Sequence, residues 1–174
     1  RLYDRGLYKL GWAYYKESNY DKTLSLFTDL LDRSEEIRME SGEDSALAPE
    51  AIEYMAISFS DIADMEGGEP LEKVGIWFQK VGERPFERTI YDRLADVLIQ
   101  QGRFDQGIAT YRFLQERWPL EPGNPKYQQR ISEIYASQPF PDQAAAGQAL
   151  VTLSETYGEG SAWWEANRNN PEAL

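Results

Sequence analysis

Carboxylates are the reactive groups this sequence holds in plenty. Asp and Glu number 30 against 18 Lys and Arg, a net charge of −12 over 174 residues, and there is no His and no Cys. Thiolate chemistry, disulfides, Cys/His zinc sites and imidazole general bases are excluded on composition alone. An acid pair such as Glu35 and Glu36 could in principle hydrolyse a glycosidic bond, since such pairs need not be close in sequence. It comes here with no pocket signature. The cluster Glu35, Glu36, Glu40, Glu43 and Asp44 could attract a hard cation but lacks the Asp-x-Asp-x-Asp-Gly spacing of a calcium loop. It reads as a solvated insertion. No phosphate-cradling Walker loop or Gly-x-Ser-x-Gly elbow occurs, and Gly158-Glu159-Gly160 lacks the third glycine and the preceding strand of a dinucleotide fingerprint. The expectation is a protein that catalyses nothing and takes no metal or cofactor.

The charge balance also restricts partners. Nucleic acid and anionic lipid need a basic footprint, which is missing, whereas a basic protein partner is permitted. No apolar run approaches the ~20 residues of a membrane span. Apolar content of 41% with 13% aromatic residues suffices for a buried core. The sequence opens on Arg1 rather than Met and enters a helical pattern at once, which suggests a piece of a longer protein.

Stepping along the chain, apolar residues recur at helical spacing: Leu7, Leu10, Tyr14 and Tyr15, then Leu24, Phe27, Leu30 and Leu31. Glu17-Ser18-Asn19 separates them, which predicts an antiparallel helix pair over about 3–16 and 20–34. The polar stretch 35–48 reads as the fraying end of a long helix and then a loop. Further helices are expected at about 49–64, 71–81, 86–101, 104–117, 125–137 and 140–157. Pro49 stands at a helix start and Gly102 at a helix stop. Ser161 is a good N-cap for a short last helix to about 167. Alternating strand patterns are absent.

Helix pairs recurring at 35–45 residues point to a repeat. Leu7-x2-Leu10-Gly11-x2-Tyr14 continues with Tyr20, Thr23 and Phe27. Ile52-x2-Met55-Ala56-x2-Phe59 continues, after an insertion, with Val74 and Phe78. Tyr91-x2-Leu94-Ala95-x2-Leu98 continues with Phe104, Gly107, Tyr111 and Pro119. Gln128-x2-Ile131-Ser132-x2-Tyr135 is a fourth copy. The eighth position is small in all four: Gly11, Ala56, Ala95 and Ser132. There two helices cross closely and a large side chain would part them.

On these residues the chain resembles the tetratricopeptide repeat family over about 3–157, with no Trp at the fourth position and with insertions near 35–48 and 64–70. The resemblance implies an all-α, right-handed superhelical solenoid of about four antiparallel helix pairs plus a C-terminal capping helix. It would form a single domain over 1–174, with repeats at about 4–37, 49–85, 88–121 and 125–157 and the cap at about 161–167. The closing run from Tyr157 to Arg168 is similar to the C-terminal portion of long bacterial proteins of this family, some linked to the cell envelope. A periplasmic or envelope location is therefore one expectation and the cytoplasm another.

In this family the first helix of each pair lines the concave face, at its second, fifth, ninth, twelfth and thirteenth positions. The resemblance carries this onto Arg5, Tyr8, Trp12, Tyr15 and Lys16; Glu50, Glu53, Ile57, Ser60 and Asp61; Thr89, Asp92, Asp96, Ile99 and Gln100; and Lys126, Gln129, Glu133, Ala136 and Ser137. The groove then runs from aromatic to acidic, unlike the Lys, Arg and Asn of clamps that grip a C-terminal carboxylate. A basic or amphipathic peptide or helix fits it, with Tyr8, Trp12 and Tyr15 as anchors. The same aromatic residues would equally pack against a further repeat upstream, and the acids would equally form a solvated face. Trp163 and Trp164 read as a terminal cap or as an exposed patch for a partner or for self-association. The implied function is a protein–protein adaptor or scaffold; the alternative is a structural spacer or assembly element in a larger envelope complex without a discrete peptide site.

Overall fold

The computed structural model describes residues 2–137, 139 and 141–173. Every regular element among them is an α-helix: α1 (Leu2–Lys16), α2 (Tyr20–Ser41), α3 (Ala48–Glu66), α4 (Pro70–Val81), α5 (Glu87–Gln100), α6 (Phe104–Arg117), α7 (Asn124–Ser137), α8 (Gln143–Tyr157) and α9 (Ala162–Asn167). The all-α reading holds, and within each unit consecutive helices pack on one another, α1 on α2 and α7 on α8 most extensively, which is consistent with tetratricopeptide-type helix pairs. The stretch read as the fraying end of a long helix is regular helix as far as Ser41, and the loop begins only after it. Ser34 is buried, its hydroxyl donating to the Leu30 carbonyl, and the helix stops only at Gly42, whose φ of +72° is the left-handed conformation of a C-terminal cap. The last long helix was expected from 140; Phe140 lies outside the described residues, and α8 begins at Gln143 behind Asp142, whose carboxylate accepts from the Ala145 amide at 2.9 Å.

The chain divides into two compact units, Arg1–Gln101 and Gly102–Leu174. In the first, α1 pairs with α2, α2 lies on α3, and α3 packs on both α4 and α5 while also touching α1. Phe27, Leu30, Met55, Phe59, Ile90, Leu94 and Leu98 are fully buried, each stabilising the fold by about 1.5–3 kcal/mol through burial. The turn between α1 and α2 is tight, with Ser18 at φ +56° and the Asn19 side chain capping α2. Polar ties cross the helices: Asp4 to Arg33 at 2.7 Å, the Trp77 indole to the Thr28 hydroxyl at 3.2 Å, and Arg84 to Asp32 at 2.8 Å.

Two of the small eighth positions, Gly11 and Ser132, stand where a helix pair closes. A Cβ on Gly11 would stand 2.7 Å from the Phe27 ring, so α1 approaches α2 as nearly as it does only because that residue is glycine. Ala56 and Ala95 are fully buried. In the second unit, the Ser132 hydroxyl reaches across the α7–α8 crossing to the Ala146 carbonyl at 2.9 Å.

That unit consists of α6 on α7, α7 on α8, and α8 on α9. Gln115 and Gln128 tie it together: Gln115 donates to the Tyr157 hydroxyl at 2.8 Å, and Gln128 donates to the Ala149 carbonyl at 3.0 Å. Trp163 is buried on the α6–α7 connection, its indole donating to the Glu121 carbonyl at 2.7 Å and its ring edge-on to Tyr157 at 5.5 Å. Asn167 is buried beside it and donates to the Leu120 carbonyl at 2.8 Å. Trp164 stays half-buried. Of the paired tryptophans, the first is thus core, and α9 is held by its ring and by Asn167.

Candidate partner-binding face

The first helices of the pairs in unit one, α1, α3 and α5, carry every residue singled out above as a groove position from Arg5 to Gln100. The structure sorts these into two seams. Between α1 and α3 the seam is aromatic. Tyr8 lies over Phe27 at 6.0 Å, Phe27 stacks on Tyr54 at 6.2 Å, and Tyr54 meets Tyr15 at 5.1 Å. The Trp12 indole donates to the Tyr54 hydroxyl at 3.1 Å while Lys16 sits over its ring at 5.1 Å. Trp12 remains 40% exposed, with its polar edge tied down and one face covered by a cation.

At the far end of this seam the Tyr15 and Tyr20 hydroxyls both donate to the same oxygen of Asp61, Oδ2, each at 3.2 Å. One carboxylate thereby joins α1, α2 and α3. Burial pushes the Tyr15 phenol up to about 12, assisted by the neighbouring Asp61 charge, so it is a neutral donor at physiological pH. Tyr8 is also pushed up to about 12, by burial first and then by its hydrogen bond to Glu50. Burial raises Asp61 above its ordinary value, and the two tyrosine hydroxyls only partly offset that.

Between α3 and α5 the seam is ionic. Arg93 forms an ion pair with Glu53 and reaches Asp96 at 3.5 Å one turn along its own helix. The hydrogen bond to Glu53 raises the guanidinium pKa further. Ser60 is buried and donates to the Gln101 side chain at 2.9 Å. Ile57 and Ile99 are half-buried, as is Asp92, while Arg5, Glu50, Thr89 and Gln100 are exposed. The fourth set of positions, from Lys126 to Ser137, lies in the second unit, where Gln129 bonds Glu133 at 3.0 Å.

Three residues outside the family's groove positions organise this face: Tyr54, Arg93 and Tyr20. Tyr54 and Arg93 occupy the sixth position of their helices, one residue past the fifth. Both look back at the preceding first helix, Tyr54 onto α1 and Arg93 onto α3. The sequence carries no signal that singles them out, since the same position holds the charged Lys9 and Arg130 in the first and fourth copies. The acidic run of α2 is not part of the face: Glu35 pairs with Arg38 at 2.5 Å, and no group of three acids fit to hold a metal occurs among the described residues. Among those residues no helix is long and apolar enough to cross a membrane.

The helix pair α1–α2, closed by glycine on phenylalanine, is the part of the chain whose family can be stated. Residues 5–34 form a tetratricopeptide repeat. They match that family's model, within the helix pair whose spacing carried the resemblance. Tetratricopeptide repeats serve in general as protein–protein interaction modules and are typically non-catalytic. The comparisons with curated proteins and with solved structures returned no match.

Proposed function

We propose that this protein is a protein-binding module whose α1–α3–α5 face receives an amphipathic peptide or helix with a basic polar flank. The observation that supports this reading is Trp12. Its indole is exposed, yet its orientation is fixed by Tyr54 and Lys16. An aromatic side chain that is ordered before binding loses little freedom on contact, which is how interface anchors come to dominate affinity. Glu50 and Asp92 on the neighbouring helices supply carboxylates along the same face. Tyr8 and Tyr15 act beneath as the platform that positions the indole and Tyr54, and Glu53 and Asp61 hold the helices together.

Fluorescence anisotropy with a labelled Leu/Lys amphipathic helix tests it. Trp12→Ala should weaken binding by at least about 2 kcal/mol, the scale of an anchor residue, and leave the melting temperature nearly unchanged. Asp92→Asn with Asp96→Asn should weaken it less, and a Leu/Glu helix should bind poorly. Equal affinity of wild type and Trp12→Ala would remove the anchor from the account.

A further inference from the structure

We propose that copies of this chain associate head to tail, the outward face of α1 in one copy receiving the outward face of α8 in another. The two faces are separately unexplained by the fold of their own units. On α1, Leu2, Gly6, Leu10 and Ala13 recur at helical spacing on the side opposite the buried Leu7 and Gly11, and all four are exposed, Leu10 at 47%. On α8, Ala144, Gly147, Leu150 and Val151 do the same opposite Ala146 and Ala149, with Leu150 51% and Val151 47% exposed.

Each face has a glycine at its centre, inside a helix, where glycine weakens the helix relative to alanine. For Gly11 the fold supplies the reason, in the Phe27 ring. For Gly6 and Gly147 it supplies none: a Cβ at either would meet no atom within 4 Å. A second helix laid across them supplies it, because small residues let two helix backbones approach closely.

Charge sets the pairing. The α1 face is flanked by Arg5, Lys9 and Lys16, with Glu17 at its end. Neither Arg5 nor Lys9 forms an ion pair among the described residues, in a chain whose net charge is −12. The α8 helix contains no Lys or Arg; its exposed acids are the cap Asp142 at one end and Glu155, one turn past Val151, at the other. At 1.5 Å per residue the cations span about 17 Å and the acids about 20 Å, so the two sets match in length. Two α1 faces would oppose cations to cations, and two α8 faces would bring acids together, so the favoured contact is heterologous, unlike face to unlike face.

Sedimentation equilibrium on the 174-residue chain tests this. Wild type should rise in mean mass above the 20.0 kDa monomer with increasing concentration, and raised salt should weaken the association. A head-blocked variant, Gly6→Gln with Leu10→Gln, and a tail-blocked variant, Gly147→Gln with Val151→Gln, change only exposed positions. Each alone should stay monomeric. Mixed in equal amounts, they should form a two-chain species and nothing larger, because one intact face of each kind remains. Wild type that is monomeric at every concentration overturns the proposal, as does self-association of either blocked variant to the wild-type extent.

Discussion

The two seams of the first unit join the same kind of helix by different physics. Between α1 and α3, rings are laid against rings and one half-buried carboxylate is held by neutral tyrosine donors. Between α3 and α5, a guanidinium is placed between carboxylates on both helices. The aromatic seam buries apolar area and does not respond to salt. The ionic seam is partly exposed and screened. Only the aromatic seam leaves a large, pre-oriented apolar surface in solvent, at Trp12. On the proposed reading the acids of this face divide by role: Glu53 and Asp61 join helices, and Glu50 and Asp92 set the charge a partner would meet.

Substitutions that break one seam and spare the other give this contrast its tests. The largest effect belongs to Phe27→Ala, which removes the ring shared by Gly11, Tyr8 and Tyr54; it should cost about 3–5 kcal/mol in chemical denaturation. Gly11→Ala comes next. Its methyl enters the Phe27 ring, so a loss of about 1–3 kcal/mol is expected from overpacking, and a neutral result would mean the crossing is looser than described. Arg93→Met should cost about 1 kcal/mol or less, as partly exposed ion pairs do, and its deficit should shrink in high salt. A deficit as large as that of Phe27→Ala would make the ionic seam the principal one.

The smallest effect is one of pH. Asp61 has a folded pKa above its ordinary value of 3.8, so the folded state holds its proton more tightly than the unfolded chain. The stability linked to that proton is present below the unfolded value and is lost as pH rises through the folded one. Asp61→Asn does not titrate. Its melting temperature relative to wild type should therefore drift downward as the pH is lowered from neutral toward 4, whatever its offset. An upward drift would reverse the assignment of burial as the dominant influence on Asp61. At the alkaline end Tyr8 and Tyr15, both pushed up to about 12, give stability that is kept below pH 10 and lost toward 12.

The helix pairs were legible in the sequence because a period of 3.6 and a small residue at each crossing are properties of local spacing. Gly11 and Ala56 could be found by counting. The exact end of α2 was not legible, because residues 35–41 are mostly polar and exposed and their helix is carried on from the buried Ser34 to a glycine cap. Nor was the distribution of partners among the acids. Asp61 and Asp96 look alike in sequence, yet one meets two tyrosines and the other an arginine. Those partners lie 41 to 46 residues away in one case and one turn away in the other. Sequence spacing predicts which side of a helix a residue takes. It does not predict what the neighbouring helix brings to meet it, and Tyr54 and Arg93 were missed for that reason.

The central claim is that the exposed side of α1, α3 and α5 is where a partner is received. Mapping by two-dimensional NMR, with the Leu/Lys amphipathic helix titrated into the labelled chain, tests it most directly. The Trp12 indole N–H and the amides around Glu50 and Asp92 should shift together and saturate at one stoichiometry, while α2 and α4 stay put. Shifts centred on α2 and α4, with the Trp12 indole unmoved, would contradict it.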